Sequence, residues 1–506
     1  MTGSSVDERD LEALAHRAEA IARGVPDVAA ARVVRIAAPS SRLAIGLSLL
    51  SREDQRRSLL QQTVWNTIFD GTFSRGTTLE DPDMHAEVWG SSYGDEPIPV
   101  AEIHSWVQHA VDRILALRPR KLLEIGCGDG QLLLRIAPHC EHYVGTDFSG
   151  PALSHIRRQI AAWHPADAGR VRLVQCAATE LQEDLGAPFD TVVLNSVAQY
   201  FPSEQYFWKV LHRARELLSP TGTIFLGDLR SLPLARLFYT SVEARRAADG
   251  TRPKALRERV LLRERTEREF LLAPAVARHL LEELDGTSAF IELKRGREEN
   301  ELVRFRYDMV LRFGEDRGAR ECQDATWIDA DSVGDVRAES RRLAAASPQA
   351  FGLRGIPNRR LTGLAEATRR LFSTAAETSL EEIRQLETAS EGVHPEDMWA
   401  LAAELGRAVR IGWSEDPFRF DALFGVAGHA VPVTNAVYGA GAVLPSGECA
   451  NDPLFNQAAE RLALKVRKLL ARESEELARL STITVWKALP ASDAELIGAD
   501  PESSPS

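Results

Sequence analysis

The sequence predicts an α/β protein built on a Rossmann-like, doubly wound parallel sheet, and three observations carry this prediction. Short apolar strands alternate with helix-length stretches between residues 101 and 228. A glycine-rich loop directly follows the first of these strands and precedes a helix. An acidic residue, Asp147, ends the second strand. Alternation of this kind places the strands in parallel, with helices on both faces.

The elements of this sheet follow from hydrophobic periodicity, taken in chain order. A helix is predicted over 103–117, and a second helix over 131–136 follows the glycine loop. A charged, helical insertion over 230–285 interrupts the strands and is expected to act as a lid, although its charged helices could equally form a docking face. The last strand is expected to be an antiparallel edge strand. The predicted strands are 121–125, 142–146, 171–175, 191–195, 223–228, 290–294 and 304–313.

Additional α/β subdomains are predicted on both sides of this core. A helix over 7–23 precedes short strands at the amino end, and a helix over 453–480 follows at the carboxyl end. Trp65, Phe69 and Phe73 are spaced as one helical face packed on a core. The tail 501–506 is expected to be disordered. The remaining predicted elements are strands 33–36 and 43–50, helices 359–371, 380–388 and 395–405, and strands 409–413 and 418–424.

Length and composition exclude several classes of protein. The chain has 506 residues, which favours two or three domains. Its net charge of -12 opposes nucleic acid and anionic membranes as partners. The amino terminus is acidic, and no apolar run has the length of a membrane span, so we expect a cytoplasmic protein. The five cysteines are scattered, which predicts neither disulfides nor a metal site.

The glycine loop spans 123–130 and reads Leu-Glu-Ile-Gly-Cys-Gly-Asp-Gly. Glycines allow a sharp turn and a close approach of the backbone to a ligand, and the next helix offers free N–H groups. Asp147 lies 21 positions after Gly126, where a carboxylate can accept hydrogen bonds from both ribose hydroxyls of a nucleoside cofactor. The loop residues predicted to bind this cofactor are Gly126, Cys127, Gly128 and Gly130.

That spacing fits NAD as well as S-adenosylmethionine, and Glu124 separates the two. A carboxylate directly before the loop repels a pyrophosphate but can hold the ammonium group of a methionine moiety. The sequence therefore predicts S-adenosylmethionine as the cofactor and S-adenosylhomocysteine as its product. The other residues predicted to bind it follow the later strands: Phe148 beside Asp147, Ala178 and Thr179 at the adenine, and Asn195 and Ser196 beside the sulfonium.

Each of these residues has a purely structural interpretation. Gly126 and Gly128 could serve only a turn, Asp147 could cap a helix, and Glu124 could be a surface carboxylate. Their joint order favours the class I methyltransferase fold. The chain has neither the clustered acids of metal-assisted methylation nor the N-P-P-aromatic motif of base methylation at 195–198.

Longer segments resemble the N-methyltransferase domains embedded in the adenylation domains of nonribosomal peptide synthetases. The resemblance covers residues 61–425, with one departure at Gly90, where the family usually has asparagine. The segments that carry it are 88–99 (VWGSSYGDEPIP), 122–149, 193–202 (VLNSVAQYFP), 227–233 (GDLRSLP), 293–296 (LKRG) and 300–308 (NELVRFRYD).

The flanks resemble the adenylation segments on either side of such an insertion. The family's asparagine-glycine-lysine stretch is replaced after Pro490 by Ala-Ser-Asp-Ala-Glu, so we expect a freestanding methyltransferase that cannot activate amino acids. The predicted division has an adenylation-like remnant over 1–60, the methyltransferase core over 61–228, the lid over 229–285, the terminal core strands over 286–315, an α/β extension over 316–430, and a remnant helix and tail over 431–506.

The resemblance also implies which residues line the acceptor side: Asp228, Tyr93, Glu301, Arg230, Arg304 and Tyr307. Asp228, Tyr93 or Glu301 could orient an amine or remove its proton. A purely structural alternative is that Arg304, Arg306 and Asp308 only form ion pairs along a strand edge.

Three functions compete for this chain. The family implies N-methylation of the α-amine of an amino acid, presented free or on a carrier protein. The alternative is O-methylation of a carboxylate or hydroxyl in a small natural product, and for a carboxylate Arg230, Arg304 and Arg306 could supply positive charge. A non-catalytic scaffold is the third. The sequence leaves the acceptor, the carrier protein and the oligomeric state open.

Overall fold

The computed structural model describes residues 8–25, 27–36, 42–49, 90–94, 96–163, 165–314, 325–373, 378–426, 437–438, 444–486, 489–490 and 492. Two sequence predictions lie outside these residues. They are the aromatic helical face at Trp65, Phe69 and Phe73 and the tail 501–506. No helix in the described ranges is both long enough and apolar enough to cross a membrane.

The chain divides into two compact units. One unit combines Met1–Gln61, Leu262–Arg268 and Asp452–Ser506, and the other combines Gln62–Leu261 and Glu269–Asn451. The assignment of roles to the six predicted segments stays a prediction.

The helices of the described residues, labelled in chain order, are α1 Glu8–Arg23, α2 Val100–Ala116, α3 Leu133–Ile136, α4 Gly150–Trp163, α5 Glu204–Leu217, α6 Ala235–Arg246, α7 Pro253–Thr266, α8 Val276–Glu283, α9 Glu301–Arg304, α10 Val336–Ala346, α11 Thr362–Leu371, α12 Leu380–Thr388, α13 Pro395–Glu404, α14 Pro453–Glu473 and α15 Glu475–Leu480. The strands are β1 Val28–Ile36, β2 Arg42–Leu49, β3 Lys121–Ile125, β4 His142–Asp147, β5 Val171–Gln175, β6 Phe189–Asn195, β7 Leu218–Arg230, β8 Ser288–Leu293, β9 Arg306–Arg312, β10 Thr326–Asp329, β11 Phe351–Pro357, β12 Val409–Trp413, β13 Arg419–Phe424, β14 Val437–Tyr438 and β15 Ser481–Trp486.

The larger unit contains the predicted central sheet. In the described residues its strand order is β14-β8-β9-β7-β6-β3-β4-β5. The strands from β5 to β7 pair in parallel, as alternation with helices predicts. The pattern of this sheet, five parallel strands followed by one antiparallel strand, confirms the predicted class I methyltransferase fold.

The antiparallel strand does not lie at the edge of the sheet, which corrects one detail of the prediction. Strand β9 pairs antiparallel with β7 on one side and with β8 on the other. Strand β8 then pairs in parallel with β14. Every residue from 307 to 311 is buried, so β9 has the apolar character of an interior strand.

Buried strands and amphipathic helices form the core of this sheet. Strands β3 and β6 are buried along almost their whole length, as parallel strands covered on both faces are. Helix α2 buries Ile103, Trp106, Val107 and Ala110 on one face, at helical spacing. The elements that carry the glycine loop and Asp147 are therefore rigidly packed.

The insertion 230–285 is helical, as predicted, and contains α6, α7 and α8. Helix α6 is buried on most of its surface, including Phe238, Ser241 and Glu243. It packs against α11 and α12 of the extension that follows the sheet. The action of this insertion as a lid stays a prediction.

The extension 316–430 has an α/β structure, with a smaller sheet in the order β10-β11-β13-β12. Strand β12 and helix α12 have the predicted bounds. In the other unit, β1 pairs antiparallel with β2, and β15 pairs in parallel with β2. Leu11, Leu43, Leu462 and Val466 contribute to the apolar core of that unit.

Candidate functional site

A cavity of about 240 Å³ lies at the carboxyl ends of β3, β4, β5 and β6. Open α/β sheets bind ligands at this edge, where the loops leave the strands. Its lining residues in the described part of the chain are Trp106, Val107, Glu124, Ile125, Gly126, Cys127, Gly128, Asp129, Gln131, Leu132, Thr146, Asp147, Phe148, Cys176, Ala177, Ala178, Asn195, Ser196, Val197, Tyr200, Phe201, Pro202 and Tyr206.

The glycine loop turns sharply across the floor of this cavity. Gly126 has φ +78°, and a Cβ there would lie 2.5 Å from Cγ2 of Val197. Its N–H donates to the carbonyl of Thr146 at 2.7 Å. Both the backbone angle and the close contact require glycine. The loop is thereby held against the end of β4.

The Asp147 carboxylate is held in place at the cavity by two backbone hydrogen bonds. Its Oδ2 accepts a hydrogen bond from the Gly128 N–H at 2.9 Å, and its Oδ1 accepts one from the Ser149 N–H at 2.8 Å. An ionised carboxylate has about four acceptor sites, so it can also accept hydrogen bonds from ribose hydroxyls. This arrangement fits the nucleoside half of S-adenosylmethionine.

Glu124 is buried, and its Oε2 accepts a hydrogen bond from the Tyr143 hydroxyl at 2.7 Å. Burial raises the pKa of Glu124 to about 8, partly offset by the Tyr143 hydrogen bond, with small additions from Asp147 and Asp129. A buried carboxyl group of this kind is stabilised in its charged form by a nearby ammonium group. It therefore fits the methionine half of the same cofactor.

Most of the predicted cofactor residues meet at this cavity. Gly130 and Thr179 are not among the lining residues of the described chain. Gly130 has φ +88° and donates its N–H to the Cys127 carbonyl. It therefore stabilises the turn of the loop without lining the cavity. The predicted residues that line the cavity are Glu124, Gly126, Cys127, Gly128, Asp147, Phe148, Ala178, Asn195 and Ser196.

Of the aromatic residues in the wall, sequence reasoning predicted Phe148 and missed the others. Trp106 comes from α2, and Tyr200, Phe201 and Tyr206 follow β6. Tyr200 and Phe201 lie in the family-like segment 193–202, so that segment held a signal for them. Trp106 had none, because its spacing on α2 is that of an ordinary core residue.

Asp228 lies behind the wall, fully buried, and is not a lining residue in the described chain. Burial by itself raises the pKa of this carboxyl. The charges of Arg306 and Lys294, with hydrogen bonds from Ser196 and Trp106, outweigh burial and hold the pKa below its usual range. A carboxylate with a lowered pKa is a weak proton acceptor at neutral pH.

Three other predicted acceptor residues form one cluster with side chains from distant segments. Oε1 of Glu301 accepts from the Ser92 N–H at 2.7 Å, next to Tyr93. Nη1 of Arg304 lies 3.3 Å from Oε1 of Glu387 on α12. We call this group, together with Ser241, the Tyr93 cluster.

Ser241 connects Tyr93 with Glu387 in this cluster. Its hydroxyl can donate to the Tyr93 oxygen at 3.2 Å or to Oε1 of Glu387 at 2.5 Å. Burial raises the pKa of Tyr93 to about 12, with Arg304 and the Ser241 hydrogen bond opposing it and the charges of Glu387 and Glu301 adding to it. The phenol therefore keeps its proton at neutral pH.

The last two predicted acceptor residues occupy different surroundings. Arg230 pairs with Glu269 at 2.8 Å and lies 5.4 Å from the ring centre of Phe238, which also packs on Tyr93. Tyr307 is fully buried, and its hydroxyl donates to the Leu272 carbonyl at 3.0 Å. The structure thus gives Tyr307 a packing position in the core and leaves Arg230 beside the Tyr93 cluster.

The described residues contain no group of three or more His, Cys, Asp or Glu side chains arranged to hold a metal ion. When bound at the cavity, S-adenosylmethionine would supply an electrophilic methyl group on its sulfonium. The chain's own residues would bind the cofactor through Asp147 and Glu124, exclude water and orient the acceptor.

Comparisons with known proteins agree with this geometry. Residues 123–224 match the family model described as a methyltransferase domain. The chain is 35% identical over 361 residues to chondramide synthase cmdD of Chondromyces crocatus, which covers 69% of this chain and 9% of that protein. It is 33% identical over 311 residues to a probable non-canonical nonribosomal peptide synthetase, CymA, of Salinispora arenicola, covering 60% of this chain and 4% of that protein.

Among solved structures, magnesium protoporphyrin IX methyltransferase of Synechocystis is 15% identical, with a TM-score of 0.33, covering 51% of this chain and 98% of that one. The chain spans less than a tenth of the length of the two peptide synthetases. The methyltransferase match begins at β3 and ends within β7, so it contains the glycine loop and Asp147. The chain therefore contains a class I S-adenosylmethionine-dependent methyltransferase domain, and it resembles the N-methyltransferase domains embedded in nonribosomal peptide synthetases.

Proposed function

We propose that this methyltransferase N-methylates the α-amine of an amino acid, or of an aminoacyl or peptidyl intermediate, in nonribosomal-peptide-type biosynthesis. The relation to peptide synthetases supports the substrate class. A buried carboxylate oxygen of Glu301 in the Tyr93 cluster, which has no hydrogen-bond partner among the described residues, supports an amine over a carboxylate.

The preference for an amine over a carboxylate as the methyl acceptor rests on one oxygen atom. Oε2 of Glu301 is buried and has no hydrogen-bond partner among the described residues. A buried carboxylate oxygen without a donor is costly, so it favours a ligand that brings an N–H group. An amine or ammonium supplies such a donor, whereas a carboxylate would add a second negative charge.

The three arginines that could favour a carboxylate acceptor are already paired. Arg230 faces Glu269, Arg304 faces Glu387, and Arg306 faces Asp228. Binding a substrate carboxylate would require breaking one of these partly or fully buried pairs, which costs the desolvation of the charge left behind. This balance disfavours the alternative, formation of a methyl ester.

The proposed roles follow from these contacts. Methyl transfer is an in-line displacement, so the amine must be unprotonated and held in line with the sulfonium. Oε2 of Glu301 accepts a hydrogen bond from the amine and can take up its proton, which leaves the nitrogen lone pair free to attack the methyl group. The Tyr93 phenol donates a hydrogen bond to the carbonyl oxygen of the acceptor and not to the reacting nitrogen. Arg304 keeps the negative charge of the cluster in balance.

A contact path supports a connection between this cluster and the cofactor cavity. The Tyr93 ring packs against Phe238, and Phe238 lies beside Arg230. Arg230 pairs in register with Arg306 across β7 and β9, and Arg306 bonds to Asp228 behind the cavity wall. We therefore propose that the acceptor binds between the Tyr93 cluster and the cavity.

The test is methyl transfer from labelled S-adenosylmethionine to free amino acids, to the same residues loaded on a carrier protein, and to small carboxylic acids. A base-stable methylamine is expected, and activity only on the loaded residues would identify a carrier protein as the partner. A base-labile methyl ester would overturn the proposal. Glu301→Gln should lose at least about tenfold in kcat/KM. Glu282→Gln, at a side chain 77% exposed, is the matched control and should not change it.

A further inference from the structure

Asp228 connects two side chains of the cavity wall that are far apart in sequence. Its Oδ1 accepts a hydrogen bond from Nε1 of Trp106 at 2.9 Å, and its Oδ2 accepts one from the Ser196 hydroxyl at 2.5 Å. Trp106 belongs to α2, whereas Ser196 directly follows β6. Both line the cofactor cavity. One buried carboxylate therefore sets the positions of two cavity-lining donors.

The backbone around Asp228 is shaped for this contact. Asp228 has φ +62° and Ser196 has φ +55°, a region that residues other than glycine seldom adopt. The pairing of β7 with β9 shifts register between Leu226 and Leu229, so Asp228 lies in a bulge. Bulges redirect a side chain, and backbone strain of this kind persists where the surrounding structure enforces it.

Two cations compensate the buried carboxylate. Arg306 bonds directly to Oδ2. Nζ of Lys294 lies 3.6 Å from Oδ1 and 2.9 Å from Oδ1 of Asp308. Asp308 in turn accepts the Asp228 N–H at 2.8 Å. Asp228, Asp308 and Lys294 are each at most 2% exposed, so these three groups are shielded from water.

Lys294 also contacts the same indole. Its Nζ lies 5.7 Å from the ring centre of Trp106, within the range of a cation–π interaction. The indole is thereby held at its N–H by Asp228 and at its face by Lys294.

We propose that Asp228 and Lys294 are positioning residues of the cofactor cavity: Asp228 fixes the Trp106 indole and the Ser196 hydroxyl, and Lys294 supports the same indole and balances the charge of Asp228. In this role Asp228 accepts hydrogen bonds and does not take a proton from the substrate. The inference does not depend on which acceptor is methylated.

The test measures Trp106 directly. Protein labelled with 5-fluorotryptophan gives one ¹⁹F resonance for each of the nine tryptophans, and Trp106→Phe assigns the relevant one. In Asp228→Asn without cofactor, the Trp106 resonance should shift, and the dissociation constant for S-adenosylhomocysteine should rise about tenfold. An unchanged resonance with unchanged affinity would overturn the proposal.

A second comparison distinguishes positioning from a separate action of Asp228. Asp228→Asn should change the affinity by less than about twofold when added to the double variant Trp106→Phe/Ser196→Ala, because its effect passes through those two side chains. A full tenfold loss in that background would contradict the proposal.

A milder variant keeps the test decisive if Asp228→Asn does not fold. Arg306→Gln removes one cation from a side chain that is only partly buried and should also move the Trp106 resonance. Arg295→Gln is the matched control, since it breaks the pair with Glu396 and touches no lining residue. Arg295→Gln should leave the Trp106 resonance unchanged. If the Trp106 resonance were also unchanged in Arg306→Gln, the proposed positioning role of Asp228 would be refuted.

Discussion

The cofactor cavity and the Tyr93 cluster are built in different ways. The glycine loop and Asp147 lie within 27 residues of one another, and backbone N–H groups make most of their hydrogen bonds. The Tyr93 cluster takes Tyr93, Ser241, Glu301 and Glu387 from segments that are far apart, and side-chain charges hold it together. A site made by local backbone geometry is visible in a sequence, whereas a site made by tertiary charge pairing is not.

The largest expected effect concerns Asp147, the carboxylate that the backbone positions in the cofactor cavity. Asp147→Ala leaves the N–H groups of Gly128 and Ser149 without their acceptor and removes the ribose contact. We expect a loss of about 100-fold or more in affinity for S-adenosylhomocysteine, measured by calorimetry. Asp112→Ala, which removes an exposed carboxylate from α2, should leave the affinity unchanged. Equal affinity in Asp147→Ala would remove the ribose assignment.

The next prediction separates two glycines of the same loop. Gly126→Ala places a Cβ 2.5 Å from Val197 in addition to the cost of φ +78°. Gly128→Ala has φ +52° and meets no atom within 4 Å. We expect a loss in affinity of about tenfold or more for Gly126→Ala and a smaller loss for Gly128→Ala.

Adding Val197→Ala to Gly126→Ala should recover part of that affinity, because it removes the clashing methyl groups. If both glycine variants bound equally well, the close approach to Val197 would not limit the loop.

The cofactor cavity and the Tyr93 cluster also differ in how much of each can be predicted from the sequence. The bounds of β3 and β5 are as predicted. β3 is a buried strand directly before the glycine loop, which leaves a strong local pattern. β5 is only partly buried, and its valine and leucine residues mark it as a strand. The Asp147 position follows from its distance to Gly126. Glu387 carries no local signal, because its role depends on how α12 packs against α6. Lys294 lies in the family-like segment 293–296, but no pattern there distinguishes a buried lysine from a solvated one.

A pH titration tests Glu124, a titratable group of the cofactor cavity. Its pKa is about 8 without cofactor, so below that pH the carboxyl is protonated, with Tyr143, Asp147 and Asp129 around it. Binding an ammonium group favours the carboxylate and releases this proton. Affinity for S-adenosylhomocysteine should therefore rise from pH 6 to about pH 8, by up to about tenfold per pH unit.

Two controls show whether Glu124 causes that slope. Glu124→Gln cannot titrate at this position, so its affinity should change little over the same range. 5′-Methylthioadenosine lacks the ammonium group and should bind the native protein with little pH dependence. A slope that survives in Glu124→Gln would place the titrating group elsewhere.

The smallest expected effect tests whether the Tyr93 cluster is independent of the cofactor cavity. Glu387→Gln removes the charge that faces Arg304 and the acceptor of the Ser241 hydroxyl proton. We expect KM for the amine acceptor to rise about three- to tenfold, since the cluster loses negative charge, while the affinity for S-adenosylhomocysteine stays constant. Glu381→Gln, at an exposed position on the same helix, should change neither value. Weaker S-adenosylhomocysteine binding in Glu387→Gln would mean that the cluster and the cavity are coupled, because the contact path from Tyr93 through Phe238, Arg230, Arg306 and Asp228 then transmits the change to the cavity wall.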